Sequence, residues 1–289
     1  MNSNHEMSAW GRFWNRGTWW KALLAVAGYL VLYQLVAIGL SLLVGGSVDL
    51  TDIFAGPLNV FLGLALPLIV GAAILLVFLA SLRWIRPLFA RQPINGRWWM
   101  WIFVALAIIP VVLRLFGIDY GYYSAGVVPM AFFAGIFIGF TEEVLYRGIV
   151  IKILRDAGHR ELAVAVLSSL FFALSHSLNL LNGQPLLTVA LTVGFTFGFG
   201  MMMYLTLRVT GHIIWPILLH ALTDPTTFLG SGGIDVDGGA ASSPLLSIAG
   251  PFSVVFFVAA LIALIFIRGK VTSAPGDTGL GREPITTKD

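Results

Sequence analysis

Apolar runs recur along this chain at nearly even spacing, and each is cut off by a short polar stretch. Eight can be read, at roughly 22–44, 59–82, 99–116, 129–150, 162–180, 186–207, 213–229 and 249–268. A helix rises about 1.5 Å per residue, so about 20 apolar residues cross the hydrocarbon core of a bilayer. Backbone N–H and C=O groups find no water there, which leaves the helix as the spanning element for such runs. The pattern predicts an all-α polytopic membrane protein, a bundle of about eight transmembrane helices. The first run follows Arg12, Arg16 and Lys21 but is too long for a signal peptide and lacks a clear cleavage site, so it reads as a retained helix.

The polar stretches alternate in charge. Basic residues sit at the N-terminus, then at Arg83, Arg86, Arg91 and Arg97, at Lys152, Arg155 and Arg160, at Arg208, and at Arg268 and Lys270. The intervening connections 45–58, 117–128, 181–185 and 230–248 contain no Lys or Arg and carry Asp49, Asp52, Asp119, Asp235 and Asp237. Lys and Arg favour the cytoplasmic side, so the alternation predicts both termini in the cytoplasm of a bacterial-type plasma membrane. Seven spans would set the C-terminal charges on the wrong side. The organisation expected is an interfacial N-terminal segment over 1–21, a helical membrane domain over 22–268, and a disordered cytoplasmic tail over 269–289. The Gly/Ser-rich stretch within 230–248 reads as flexible, and the N-terminal tryptophans and Trp98, Trp99 and Trp101 suit interfacial belts.

Composition agrees with lipid as the solvent. Of 289 residues, 58% are hydrophobic and 11% charged, against about 25% charged in soluble domains. The net charge of +3 sits at span ends and reads as orientation charge, with the bilayer and not nucleic acid as partner. Cysteine is absent, which removes thiol catalysis, disulfides and thiolate metal sites.

Against this background the ionisable residues inside the spans stand out, because each costs roughly 2.5–3.5 kcal/mol to insert. The fourth run holds Glu142, Glu143 and Arg147, the fifth His176, and the seventh His220 and Asp224. Glu143 and Arg147 are i,i+4 neighbours and can pair. Glu142 is turned about 100° away and is left for chemistry, as a general base whose burial suits work near neutral pH. Phe172 is i,i+4 to His176 and can wall the imidazole. Asp224 lies on one face with His220 and can orient it or join it at a metal. Pro225 disturbs the helix beyond and suggests a wet pocket nearby. Gly135 and Gly139, and Gly194 and Gly198, have the spacing of close helix contacts. Ser168, Ser169, Ser175 and Ser177 read as packing residues, and Arg114 as a residue that snorkels or pairs with an acid. No HExxH, GxGD or GxSxG motif occurs, so what remains is carboxylate and histidine acting on water.

The segments EEVLYR (Glu142–Arg147), FALSH (Phe172–His176) and HALTD (His220–Asp224) resemble, in order, the three motifs of the CPBP or Abi family, the CAAX-processing and bacteriocin-processing membrane proteases. The resemblance covers about residues 129–229. It implies a helical bundle with an intramembrane catalytic cavity, in which Glu142 and His176 activate water, His220 and Asp224 stabilise the oxyanion, and Glu143 and Arg147 give support. It implies a peptidase, glutamate- or metal-dependent, acting on a membrane-associated protein or peptide. Eukaryotic members have Asn where this chain has Asp224. An ionised Asp cannot donate a hydrogen bond, so Asp224 is protonated, orients His220, or binds a metal. Oxygen and imidazole ligands at Glu142, His176, His220 and Asp224 would suit zinc or another divalent ion; the preferred reading is metal-free. A transporter or channel, and a non-catalytic membrane adaptor involved in immunity, are the alternative functions.

Overall fold

The computed structural model describes residues 8–46, 52–233 and 243–271. Asp49, Asp235 and Asp237, most of the Gly/Ser-rich stretch, and the tail from 272 onward lie outside the described residues. The elements are helices: α1 (Ala9–Asn15), α2 (Trp19–Val44), α3 (Pro57–Leu82), α4 (Ile85–Phe89), α5 (Met100–Gly117), α6 (Val127–Asp156), α7 (Glu161–Ser175), α8 (Leu186–Thr210), α9 (Ile214–Ser231), α10 (Pro244–Ala249) and α11 (Phe252–Phe266). The fold is an all-α polytopic membrane bundle.

Among the described residues, seven helical stretches are long and apolar enough to cross a membrane: α2, α3, α5, α6, α7 with its extension to Leu181, α8, and α10 joined to α11. The seventh apolar run of the sequence is α9, 18 residues long. It does not join those seven because His220, Asp224 and its threonines lower its hydropathy. It nevertheless makes the most extensive pairing of the bundle, against α6. The fourth run extends past its expected end, from 150 to Asp156, because Ile153 and Leu154 stay buried against neighbouring helices.

The distribution of side chains is reversed relative to a water-soluble protein. Leu42 and Leu43 are each 80% exposed and Phe116 79%, whereas Glu143, Arg147, Glu161 and His220 are buried. Long stretches of exposed Leu, Ile and Val on α2, α5 and α11 match lipid as their surroundings.

Small residues let the central helices close. A Cβ on Gly139 would lie 2.5 Å from the Ile217 carbonyl oxygen and 2.7 Å from the Ala221 nitrogen, both on α9. A Cβ on Gly135 would lie 2.5 Å from the Ala221 carbonyl oxygen. That carbonyl is the one that Pro225, lacking an N–H, cannot bond within the helix, and it is turned onto Gly135 of α6. Gly198 likewise meets the backbone of α11 at Phe256 and Phe257, but Gly194 has nothing within 4 Å and is no part of that contact. The expected Gly194/Gly198 pair is therefore a single close approach.

Three basic residues first read as orientation charges are buried. Lys21 bonds the carbonyls of Phe13 and Arg16 and closes the end of α1, its ammonium 4.4 Å over the Phe13 ring. Arg155 grips both oxygens of Glu161 at 2.8 Å, and Arg208 reaches Glu161 Oε2 at 3.1 Å. Tyr204 donates to the same oxygen at 2.6 Å, and Arg155 also donates to Gln92. This cluster joins α6, α7 and α8 at one end of the bundle. Beside it, the first two residues of the expected tail are docked: the Glu161 N–H donates to Gly269 O at 2.9 Å, and Arg160 bridges Lys270. Removing one member of a buried ion pair strands the other and costs about 3–5 kcal/mol. Glu161→Ala is therefore expected to lower the thermal unfolding midpoint of the detergent-solubilised protein by more than Lys152→Ala, whose pairing with Asp156 is partly exposed.

Candidate active site

The site is built on α6, α7 and α9, with α8 behind it. On α6 the helix widens into a π-helical stretch, Val144–Val150, directly after the two acids; such turns recur at functional sites. Arg147 sits within it, fully enclosed. Its guanidinium pairs with Glu143 Oε1 at 3.1 Å, donates to the Gly200 carbonyl on α8 at 2.9 Å, and lies 4.7 Å from the Phe172 ring centroid. Gly200 makes room: a Cβ there would stand 3.1 Å from Arg147 Nη2 and 3.2 Å from Phe172.

Glu143 does more than hold Arg147. Its Oε1 also accepts from His220 Nδ1 at 2.7 Å, joining α6 to α9 across 77 positions of sequence. The other imidazole nitrogen, Nε2, lies 3.4 Å from Glu142 Oε2 and 3.5 Å from Asp224 Oδ2. His220 thus faces three carboxylates, and the imidazolium form offers a donor on both sides. Glu142 and Asp224 keep side-chain exposures of 30% and 25%, while Glu143 has none. Glu142 and Asp224 are thus the partly exposed acids of the site.

Phe172 ties the remaining motif to these residues. Its ring meets His176 edge-on at 5.0 Å, His220 at 5.9 Å and Tyr146 at 5.2 Å. The α-helix of α7 stops at Ser175 and tightens into a 3-10 turn over His176–Asn182. The His176 N–H then bonds Ala173 O, and the Phe172 carbonyl is left to side chains. It accepts from Ser175 Oγ at 2.6 Å and from His176 Nδ1 at 3.0 Å. A carbonyl can only accept, so Nδ1 carries the hydrogen in this contact.

Glu142, Glu143, Arg147, Phe172, His176, His220 and Asp224 are therefore neighbours in one site. Sequence reasoning paired Glu143 with Arg147 alone and offered Asp224 as one residue that could orient His220; the shorter contact to His220 is from Glu143. It also passed over Phe199, whose ring stands edge-on to His220 at 4.8 Å, and Gly200. The alternating Phe and Gly of GFTFGFG, large and small on one membrane helix, was the available signal. Of the serines, Ser168 and Ser175 donate to backbone carbonyls, and Ser169 packs where Gly200 leaves space. Oxygen and imidazole donors that zinc accepts are present, but among the described residues no three His, Asp or Glu side chains gather as a metal-ligand group.

A polytopic helical membrane protein with acids, imidazoles and a guanidinium enclosed at its centre is the class that fold and site define. Residues 124–226, from the start of α6 through Asp224, match the family model described as Rce1-like, type II CAAX prenyl endopeptidase, within the CAAX-protease family that the three motifs resemble. No curated protein and no solved structure matches the chain.

Glu143 is the shared partner of Arg147 and His220, so its loss should cost more than that of an exposed acid. Glu143→Ala is expected to destabilise the protein by about 3–5 kcal/mol, the range for stranding a buried charge. Glu143→Gln keeps an acceptor for His220 Nδ1 and should retain more. Comparing the two unfolding midpoints checks the assignment, and equal losses would mean that the His220 contact contributes nothing.

Proposed function

We propose that this protein is an intramembrane endopeptidase that hydrolyses a peptide bond of a membrane-associated protein or peptide, using water activated by Glu142 and His176. The observation that carries this reading is that His176 of α7 and His220 of α9 both meet the Phe172 ring, with Glu142 of α6 3.4 Å from His220 Nε2. The family match over the same helices supports peptidase chemistry.

In this mechanism the water sits between the Glu142 carboxylate and His176 Nε2. Glu142 takes its proton as the oxygen attacks the carbonyl carbon. The carbonyl π electrons move to its oxygen, and His220 Nε2–H bonds the resulting oxyanion. When the C–N bond breaks, Glu142 returns the proton to the leaving amine. A preorganised donor at such an oxyanion contributes about 2.7–4 kcal/mol to the rate. Glu143 keeps the imidazolium of His220 in place through Nδ1. Asp224, as an anion, is not an oxyanion donor; it flanks His220 instead. No step requires a metal ion.

The reading has both termini on the cytoplasmic side. CAAX-type trimming and bacteriocin-related processing are the two substrate classes it admits. The test is cleavage of a panel of prenylated and unprenylated membrane peptides by the purified protein. Glu142→Gln should lower kcat by a factor of about 10² or more, and wild-type activity should survive a chelator. Activity lost to the chelator and restored by a divalent ion would replace the metal-free mechanism. Equal cleavage by wild type and Glu142→Gln would remove Glu142 from the reaction.

Asp224 and the family's other motif positions aside, the pocket depends on Phe172 for its shape. Phe172→Ala is expected to destabilise by about 3–5 kcal/mol, as for other buried aromatic truncations, and to lower kcat as well, because it removes the wall shared by His176 and His220. Circular-dichroism melts together with the cleavage assay would separate the two effects.

A further inference from the structure

Away from the candidate active site, a cavity of about 570 Å³ opens between the start of α7 and the end of α11. Arg160, Arg268 and Lys270 give it a basic rim, and Leu162, Leu264 and Ile267 an apolar wall. The two segments are far apart in sequence but are pinned together by backbone. The Glu161 N–H donates to Gly269 O at 2.9 Å, and Arg160 bridges Lys270 in antiparallel register. Gly269 turns at a φ of +112°, and a Cβ there would stand 2.7 Å from Ile94 Cδ1. The rim is therefore set by the fold.

Its charges are all of one sign. The bridge places Arg160 and Lys270 opposite each other, and like charges so placed repel. Arg268 adds a third cation and donates to the carbonyl of Ile267. Among the described residues none of the three makes an ion pair. The acids nearest to Arg160 in sequence are already engaged: Glu161 by Arg155, Arg208 and Tyr204, and Asp156 by Lys152. A cleft of this kind attracts an anion.

Depth in the membrane says which anion. The span of α7 begins at Glu161, and that of α11 ends at Phe266. The three cations thus sit just beyond the ends of two spans, and Leu162 and Leu264 just within them. Leu261, Ile265 and Phe266 continue the apolar surface along α11, exposed toward lipid. A basic rim above an apolar wall matches a phospholipid, with phosphate at the charges and acyl chains on the leucines. We infer that this cavity binds an anionic phospholipid, its phosphate held by Arg160, Arg268 and Lys270 and its chains lying on Leu162 and Leu264. A free phosphate shares the headgroup chemistry but would leave the apolar wall uncovered. The bound lipid braces α7 against α11 beside the Glu161 cluster. None of these residues belongs to the candidate active site, so the inference is independent of the peptidase reading.

The test uses the purified full-length protein in a neutral detergent, titrated separately with phosphatidylglycerol, phosphatidylcholine and inorganic phosphate. Lipid retention is read by native mass spectrometry and stability by thermal unfolding. Phosphatidylglycerol should bind saturably and raise the unfolding midpoint, whereas phosphatidylcholine and inorganic phosphate should leave the midpoint unchanged. Each basic residue contributes about fivefold to the affinity for an anionic lipid. The combined variant Arg160→Gln, Arg268→Gln, Lys270→Gln should therefore bind phosphatidylglycerol about 10²-fold more weakly. All three side chains are exposed, and the midpoint without lipid reports whether the variant is folded. Arg268→Gln alone should show about a fivefold loss and serves if the combined variant does not fold. A control that removes the same charge elsewhere, Arg16→Gln, Arg83→Gln, Arg86→Gln, should keep the binding. Equal weakening in the control would mean diffuse charge attraction and overturn the site. Absence of phosphatidylglycerol binding, or an equal midpoint shift from inorganic phosphate, would overturn the lipid assignment.

Discussion

One enclosed carboxylate, Glu143, is the constraint on which the rest of this structure depends. An isolated carboxylate in hydrocarbon would not stay charged. Here it meets Arg147 one helical turn on and His220 on a different helix, both through Oε1. That double contact fixes α9 against α6 and fixes the orientation of His220. It also forces α8 to approach closely enough for the Gly200 carbonyl to take Arg147's remaining reach. Packing here follows the electrostatics: Gly135, Gly139 and Gly200 occur where helices must approach closely for these charges to find one another.

The same logic operates at the far end of α6, where Glu161 is enclosed by Arg155, Arg208 and Tyr204. Membrane interiors offer little hydrophobic drive for helix association, because lipid tails are as apolar as leucine. Buried ion pairs and small-residue contacts take over the task of selecting which helix faces which. In this bundle the pairs at Glu143 and Glu161 select neighbours for α6, α7, α8 and α9, and the site lies between them.

Two departures from regular helix shape the chemistry. The π-helical stretch after Glu143 and the 3-10 turn after Ser175 each release the regular hydrogen-bond ladder locally. The second leaves the Phe172 carbonyl to accept from His176 Nδ1, which fixes how that ring is turned. His220 is held instead with carboxylates at both nitrogens. Two histidines of one site are thereby given different partners, a backbone carbonyl for one and carboxylates for the other.

The spans, their order and the in-helix pairs could be read from the chain by itself, because hydrophobic length and i,i+4 spacing are properties of a single helix. Glu143 beside Arg147, Phe172 beside His176 and His220 beside Asp224 follow from 3.6 residues per turn. The ionisable residues could also be singled out, since their cost in lipid does not depend on knowing their partners. What the tertiary structure alone decided is which helices share a site: Glu143 with His220, Gly200 with Arg147, Phe199 over His220, and the burial of Lys21, Arg155 and Arg208 that hydropathy alone assigned to the membrane surface. Spacing along a chain fixes neighbours on one helix. Contact between helices depends on how closely their axes approach and at what height, and that is set jointly by small residues and charges far apart in sequence.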